Sequence, residues 1–440
     1  MKIAVLGTSN SVMKKGYLNE MQSHKDLNIT SYCSGRNPIF FHIKQLLLNI
    51  NEIKKCDCLI IENYVNDVNY YLPKYSEAGL DYWYIEHVKV FYSLLSLLNK
   101  PVLNLMFPIY NIGYRASRYL QLKELAKNFG HSVLDLNNVG FGWGAYQDDV
   151  HLKPHISAYL SRTIIECCSK VVDDFKYSNS DIFDLTKIPY LVVPANAVDG
   201  VEEENIETFE NTLLKFNYLR LEEHWYEYKI PQRFHGSKLL SLGYYNPKDK
   251  PHGIKIKGNE YASYDVYGLV GKGYYHESLQ QPIPVEASFF ISGYTSSDEQ
   301  VKHDILMSRG HCNSINDVGF VVDFLLYNEE LFGEYKLTLT NQVNVDNAFE
   351  FDTIPISENL LKVDLLTPEI PLQERFSRLN DSVKKNHKAN VIRDLALSFE
   401  DMGDIHTAYR LMYQASLLRP DGPFISYKLE LYKGKITECL

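Results

Sequence analysis

At 440 residues, 45% hydrophobic and 23% charged, the chain has a globular composition and is too long for one ordinary core. About two to four domains are therefore expected, and a disordered or collagen-like chain is excluded. The 45 Lys and Arg against 55 Asp and Glu leave a net charge of −10, which offers no general basic surface to a phosphate backbone, so nucleic acid is not an expected partner.

Taken in chain order, strand and helix signals alternate first. Ile3 to Leu6 reads as a buried strand, since its apolar run turns at once into a polar loop and falls short of a signal-peptide core. Asn28 to Cys33 is a second strand, and Phe40 to Ile53 carries apolar residues at helical spacing (Phe40, Ile43, Leu47, Ile50). Cys58 to Ile61 is a buried strand, Val88 to Leu98 a helix, Pro101 to Met106 a strand, Tyr119 to Phe129 a helix and Ser132 to Leu136 a strand. Pro154 to Val172 closes the series as a helix with Pro154 at its first position. Such alternation predicts a parallel sheet covered by helices, with the functional loops at the carboxyl ends of the strands.

From about Ile188 to Leu366 the segments are short and alternating, as in Tyr190 to Val193, Ile254 to Lys257 and Phe289 to Ile291, and they read as an all-β sandwich. A third texture begins near Pro368. Leu395, Ala396, Phe399, Gly403, Ala408, Ala415 and Pro420 have a spacing that resembles a tetratricopeptide repeat, with Leu372 to Lys388 as an earlier helix and Pro423 to Leu431 as a capping one. One copy falls short of the roughly three repeats a free-standing solenoid needs, so a packed helical appendage is expected, with protein-partner binding as the competing reading. The 7 cysteines (Cys33, Cys56, Cys58, Cys167, Cys168, Cys312, Cys439) show no paired metal-ligand spacing. They suit a reducing cytoplasm, and no metal site is expected. No run reaches the roughly 20 apolar residues of a membrane span.

Four elements carry chemistry. Gly7-Thr8-Ser9 follows the first strand, where a serine hydroxyl is displayed between strand and helix near amides that stabilise negative charge. Asp148 precedes His151 by three residues, so a carboxylate can orient an imidazole that serves as base to the serine. Asn66, just past the strand that ends at Glu62 and Asn63, can donate a side-chain N–H to a developing oxyanion. Gly35, after the second strand, allows close backbone approach and can supply a further N–H donor.

In chain order the four blocks resemble the SGNH (GDSL-like) hydrolase superfamily, whose pattern is Ser in a GDS loop, then Gly, then Asn in a GxND segment, then DxxH before the last helix. The resemblance covers about residues 1–172 and implies a flavodoxin-like, three-layer α/β domain. It implies Ser9 as nucleophile, His151 as base, Asp148 as its orienting carboxylate, and the Ser9 and Gly35 N–H groups with Asn66 as the oxyanion hole. Thr8 stands where the family has Asp, and Tyr64 where it has Gly. His155, one helical turn beyond His151, is the alternative base.

The expected organisation is thus a catalytic domain over 1–175, a β-sandwich over 188–366 and a helical tail over 368–440. The expected activity is acyl transfer through an acyl-Ser9 intermediate on O-acyl, above all O-acetyl, groups of a carbohydrate or polysaccharide. Water as acceptor makes an esterase that needs no cofactor; a sugar hydroxyl makes an O-acetyltransferase, with acetyl-coenzyme A as a donor. The absence of an export signal points to a cytoplasmic bacterial protein of polysaccharide biosynthesis or modification. The competing reading is an inactive glycan-binding or scaffold protein. Aromatic groups at Trp143 and Tyr146, His224 to Tyr228 and Gly273 to His276 are candidate sugar platforms, with ordinary packing the simpler account. The glycines of Gly140 to Gly144 do not lead from strand to helix as a phosphate loop does.

Overall fold

Five short strands form a parallel sheet at the start of the chain: β1 (Lys2–Gly7), β2 (Asn28–Ser31), β3 (Cys58–Glu62), β4 (Val102–Met106) and β5 (Ser132–Asp135). Their order, β2-β1-β3-β4-β5, is the doubly wound order of flavodoxin-like folds. Every residue of β3, β4 and β5 is buried, as in strands covered on both faces. Helix α1 (Tyr17–Gln22) packs with α5 (Pro154–Asp174), which lies along β3, β4 and β5. Helix α2 (Ile39–Leu48) packs on β1 and on α3 (Asp81–Leu97), and α4 (Ala116–Asn128) packs on β5. In α5, Ile156, Leu160, Ile164, Cys167, Cys168 and Val171 are buried at the three- and four-residue spacing of one helix face.

This computed structural model describes residues 1–77, 79–110, 116–139, 141, 145–177, 184–198, 205–211, 214–247, 252–269, 272–294, 301–302, 317–339, 348, 350–351, 389–390, 392–393, 396–397, 400 and 405–438. The chain divides into two units, Met1–Leu361 and Lys362–Leu440.

Within the first unit, two further sheets face each other. One runs β15 (Gly273–Pro284), β12 (Lys238–Asn246), β19 (Phe320–Tyr327), β10 (Lys215–Arg220), β9 (Ile206–Glu210), with β8 (Tyr190–Pro194) also on β19. The other runs β11 (Tyr226–Lys229), β16 (Ser288–Gly293), β13 (His252–Lys257), β14 (Asp265–Leu269), β17 (Val301–Lys302), with β18 (Asp317–Val318) on β13. Side chains from both inner faces close one core. At its centre Tyr228 stacks on Phe289 at 5.0 Å, and both rings meet Phe324 of the facing sheet edge-on at 5.2 and 5.0 Å, which makes the pair a sandwich.

Two features fall outside the expected division. Glu350–Phe351, inside the stretch read as sandwich, forms β20 and pairs in parallel with β5 at the edge of the first sheet; Lys123 of α4 holds Glu350 there together with Asp135. Helix α6 (Glu329–Leu339) also follows β19 directly. The α/β part and the sandwich share a buried polar joint. Lys44 Nζ of α2 lies 2.8 Å from Asp323 Oδ2 of β19 and donates to Tyr274 OH of β15, while the His276 N–H donates to Asn37 Oδ1 at 3.0 Å.

In the second unit, α7 (Ile405–Leu418) and α8 (Pro423–Glu438) enclose Ala408, Met412, Ala415, Ile425 and Tyr432 together with Ala396. Glu400 accepts from Lys428 Nζ at 2.7 Å and Tyr432 OH at 2.6 Å. Leu395, Phe399, Gly403 and the earlier helix expected over Leu372 to Lys388 lie outside the described residues. Among the described residues no helix is long and apolar enough to cross a membrane.

Candidate active site

Ser9 follows β1 in a turn where the N–H groups of Ser11 and Val12 both donate to Thr8 O, at 3.1 and 3.2 Å. The helix expected to follow directly begins only at Tyr17, because Lys15 takes a left-handed φ of 59° and breaks the run. The amides near Ser9 are therefore those of the turn, not of a helix N-terminus. Gly7 is required at the strand end, since a Cβ there would stand 2.0 Å from Ser11 Oγ.

The loop after β2 runs beside this turn. Ser34 N–H donates to Gly7 O at 3.2 Å, and a Cβ built on Gly35 would meet Ser9 Cα at 4.0 Å and Val12 Cγ2 at 3.8 Å. Those are ordinary van der Waals distances, so Gly35 lies next to Ser9 without being forced to be glycine. Asn37 ties the loop together, its Nδ2 donating to Ser34 O at 3.0 Å and Gly35 O at 3.1 Å.

Asn66 lies in a single helical turn, Tyr64–Asn66, directly after β3. The chain then winds through a wider π turn, Asp67–Tyr71, into Leu72–Glu77; Pro73, which has no N–H to give, accounts for the loosened winding just before it. Asn66 is buried, and its Nδ2 donates to Asn37 O at 3.2 Å, one link from Gly35. Next to it Asp67 is fully enclosed and accepts from Tyr84 OH and, at 2.9 Å, from Asn63 Nδ2. Burial pushes its carboxyl up to about 7 against the pull of those bonds. Tyr64 is packed inward, where its hydroxyl accepts from Asn137 Nδ2 at 2.8 Å and its ring lies 5.4 Å from Tyr119.

Asp148 and His151 sit on a hairpin, β6 (Tyr146–Asp148) and β7 (His151–Leu152), in which they are direct cross-strand partners. The His151 Nδ1 is 2.8 Å from both Asp148 oxygens, and the N–H groups of Val150 and His151 also donate to Oδ1 at 3.0 Å. Partial burial works against the Asp148 charge, yet these bonds outweigh it and hold the carboxyl below its usual range. Asn10 Nδ2 donates to Val150 O at 3.4 Å, which joins the residue after Ser9 to the turn between Asp148 and His151. His155 is exposed on the first turn of α5.

The four loops therefore meet at the carboxyl end of the sheet. Three residues that tie them together were not singled out from the sequence: Asn10, Asn37 and Glu62. Glu62 ends the apolar run of β3, fully buried and paired with Gly7, and a carboxylate closing so apolar a strand was the available signal. Of the aromatic groups, Trp143 lies outside the described residues, and Tyr146 packs edge-on to Tyr110 and Phe141. His276 is buried in the joint with α2, and Tyr228 in the sandwich core. Trp225 lies against Lys257 and Tyr264. No group of three or more His, Cys, Asp or Glu that could hold a metal is found among the described residues.

No protein-family model matches the chain, and no curated protein matches it. Among solved structures it is similar to the psychrotrophic esterase EstA from Pseudoalteromonas sp., at 12% identity over 39% of this chain and 99% of that one, with a TM-score of 0.32. A catalytic variant of the acetylxylan esterase Axe2 from Geobacillus stearothermophilus matches at 16% over 41% and 96%, with a TM-score of 0.31. A β-1,3-glucan-binding CBM6 from Bacillus halodurans matches at 10% over 32% and 97%, with a TM-score of 0.20. These values are too low to assign a family or an activity.

Proposed function

We propose that the protein is a serine-dependent acyl-ester enzyme of SGNH type acting on O-acyl, chiefly O-acetyl, groups of a carbohydrate. The observation that carries this reading is the Asp148–His151 pair joined to the Ser9 turn through Asn10 and Val150. Ser9 Oγ attacks the ester carbonyl carbon while His151 Nε2 takes its proton, and Asp148 accepts from Nδ1–H and stabilises the imidazolium. Negative charge forming on the carbonyl oxygen is met by the N–H groups of Ser9 and Gly35 and the side chain of Asn66. Collapse of the tetrahedral intermediate breaks the bond to the sugar oxygen, which leaves with the proton from His151, and acyl-Ser9 remains. Water, deprotonated by His151, then adds to the acyl carbon, and collapse of that second tetrahedral intermediate breaks the bond to Ser9 Oγ, which takes the proton back from His151 as acetate leaves. A sugar hydroxyl in place of water makes the same chemistry an O-acetyl transfer, for which acetyl-coenzyme A is a chemically suitable donor.

Turnover of p-nitrophenyl acetate and of acetylated oligosaccharides tests the reading. Ser9→Ala is expected to remove it to background, and a Ser9→Ala protein as active as the wild type would refute the assignment. Incubating the wild type with acetyl-coenzyme A and glycans, beside a water-only control, and following the acetyl group by mass spectrometry separates transfer from hydrolysis. Glycan binding without any ester turnover would favour the inactive scaffold.

A further inference from the structure

A carboxylate outside the Ser9, Asp148 and His151 set grips the nucleophile turn from below. Glu62 is 0% exposed and stands beside Gly7 in the sheet, so its side chain reaches directly under the turn. Its Oε2 accepts from Thr8 N–H at 2.9 Å, Ser11 N–H at 3.2 Å and Ser11 Oγ at 2.9 Å. Its Oε1 accepts from Thr8 Oγ1 at 2.9 Å. The two residues it holds flank Ser9 and Asn10.

Four donors converge on one group, and a carboxylate is the side chain that offers about four acceptor sites and no donor. Burial raises the Glu62 carboxyl, and the bonds from Thr8 and Ser11 oppose that rise. Ser11 Oγ also lies 2.6 Å from Tyr17 OH. Because the Ser11 proton is directed to Glu62, Tyr17 is the donor, and the chain of bonds runs from Tyr17 through Ser11 to the carboxylate. Thr8, which stands where the GDS pattern has Asp, thus meets a carboxylate supplied by β3 instead of carrying one. A buried charge is costly unless its bonds are complete, and here they are completed by the turn that displays Ser9.

We infer that Glu62 is the positioning residue of the Ser9 turn, fixing Thr8 and Ser11 so that Ser9 presents its hydroxyl to His151 and its N–H to the oxyanion. The inference rests on the serine-esterase reading of the site. It places a requirement on a residue that touches neither substrate nor base.

The test is Glu62→Gln, which keeps the shape and turns one acceptor into an NH2 group facing donors. Steady-state hydrolysis of p-nitrophenyl acetate and the rate of Ser9 labelling by a fluorophosphonate, located by mass spectrometry, are measured beside wild type and Ser9→Ala. Glu62→Gln is expected to lower kcat by about tenfold to a hundredfold with KM within about threefold, and to slow labelling in parallel. A purely structural role would lower the melting temperature and leave both rates of the folded protein intact. Thr8→Val and Ser11→Ala, which remove one side-chain donor each and keep the backbone donors, serve if Glu62→Gln does not fold. Each is expected to lower kcat by about threefold to tenfold, and Ser11→Ala to matter less in the Glu62→Gln background. Wild-type kcat and labelling in folded Glu62→Gln, or in Thr8→Val with Ser11→Ala, would overturn the inference while the inactive Ser9→Ala protein leaves the esterase reading standing. Absence of labelling at Ser9 in the wild type would overturn both.

Discussion

Asp148 and His151 face each other across a two-residue turn, with both carboxylate oxygens 2.8 Å from the imidazole Nδ1. That geometry places the Nδ1 proton on the carboxylate side and leaves Nε2 as the acceptor that a serine base requires. Asp148→Asn would offer an NH2 group to Nδ1 and favour the opposite tautomer. The expected outcome is a fall in kcat for p-nitrophenyl acetate of roughly a thousandfold or more with little change in KM. Because Asp148 is held below the usual carboxylate range, its charge persists through that range and is lost only at a pH below it. The acid limb of the wild-type rate profile should therefore fit a single proton, with none added to Asp148. A limb needing two protons would remove Asp148 from its proposed role as the orienting carboxylate.

Asn66 is the one proposed oxyanion donor contributed by a side chain, and one of its N–H bonds already goes to Asn37 O. This bond fixes the amide's orientation before substrate arrives, which is what makes such a donor effective. Asn66→Ala is expected to slow acylation by roughly a hundredfold to a thousandfold. Asn37→Ala, which frees Asn66 indirectly and releases the Ser34 and Gly35 carbonyls, is expected to cost less. Single-turnover acylation rates distinguish the two; equal and small losses would place Asn66 outside the oxyanion hole.

How far this site can be read from the chain follows from where its information lies. Asp148 and His151 are three residues apart, and Gly7 to Ser9 are consecutive, so their chemistry is visible locally. The runs at Cys58–Glu62 and Val102–Met106 are buried throughout, so composition alone marks them as strands of a covered sheet. Glu62 is different: its partners Thr8 and Ser11 are 54 and 51 residues away, and only the register that sets Gly7 beside Glu62 reveals them. The same holds for β20, whose two residues are too short to show a period and are placed by Lys123 and by pairing with β5. The stretch Tyr64–Glu77 hides its helical winding behind Pro73 and two asparagines, Asn66 and Asn69, that favour turns in isolation.

The Lys44–Asp323 pair joins α2 to β19 with side chains 3% and 7% exposed. Taking Lys44 away leaves Asp323 charged in an enclosed site. Lys44→Met is accordingly expected to destabilise the first unit by about 3–5 kcal/mol, whereas Lys44→Met with Asp323→Leu should recover most of the loss. Urea unfolding of the three proteins measures this. If the double variant is no more stable than the single one, the loss comes from the contacts of the Lys44 ammonium over the Phe41 and Tyr274 rings, not from the charge left on Asp323.

Three buried histidines weaken the fold in acid. Burial pushes His42 down to about 3, with His276 nearby adding to the effect, and pushes His131 down to about 3. Burial and then the Lys44 charge bring His276 down to about 4, against the pull of Asp323. All three stay neutral in the folded protein while their unfolded counterparts take up protons near pH 6.5. Between about pH 6.5 and 4 these three side chains therefore bind more protons in the unfolded chain, and their contribution to stability falls as the pH falls, by up to about 1.4 kcal/mol per pH unit for each histidine; Asp67, pushed up to about 7 by burial, takes up its proton first in the folded state and opposes this by up to about the same amount. Asp323, held down at about 2 by Lys44 and His276 despite burial, adds a further loss only as the pH drops from about 4 towards 2. Among the described residues His42 has no hydrogen-bond partner at either ring nitrogen and packs among Phe41 and Phe91, so it can be replaced by an apolar residue without orphaning another group. His42→Leu is expected to reduce the slope of unfolding free energy against pH by about one proton below pH 6, measured by urea denaturation at a series of pH values. An unchanged slope would mean that His42 is protonated in the folded state and that its burial is relieved by local opening.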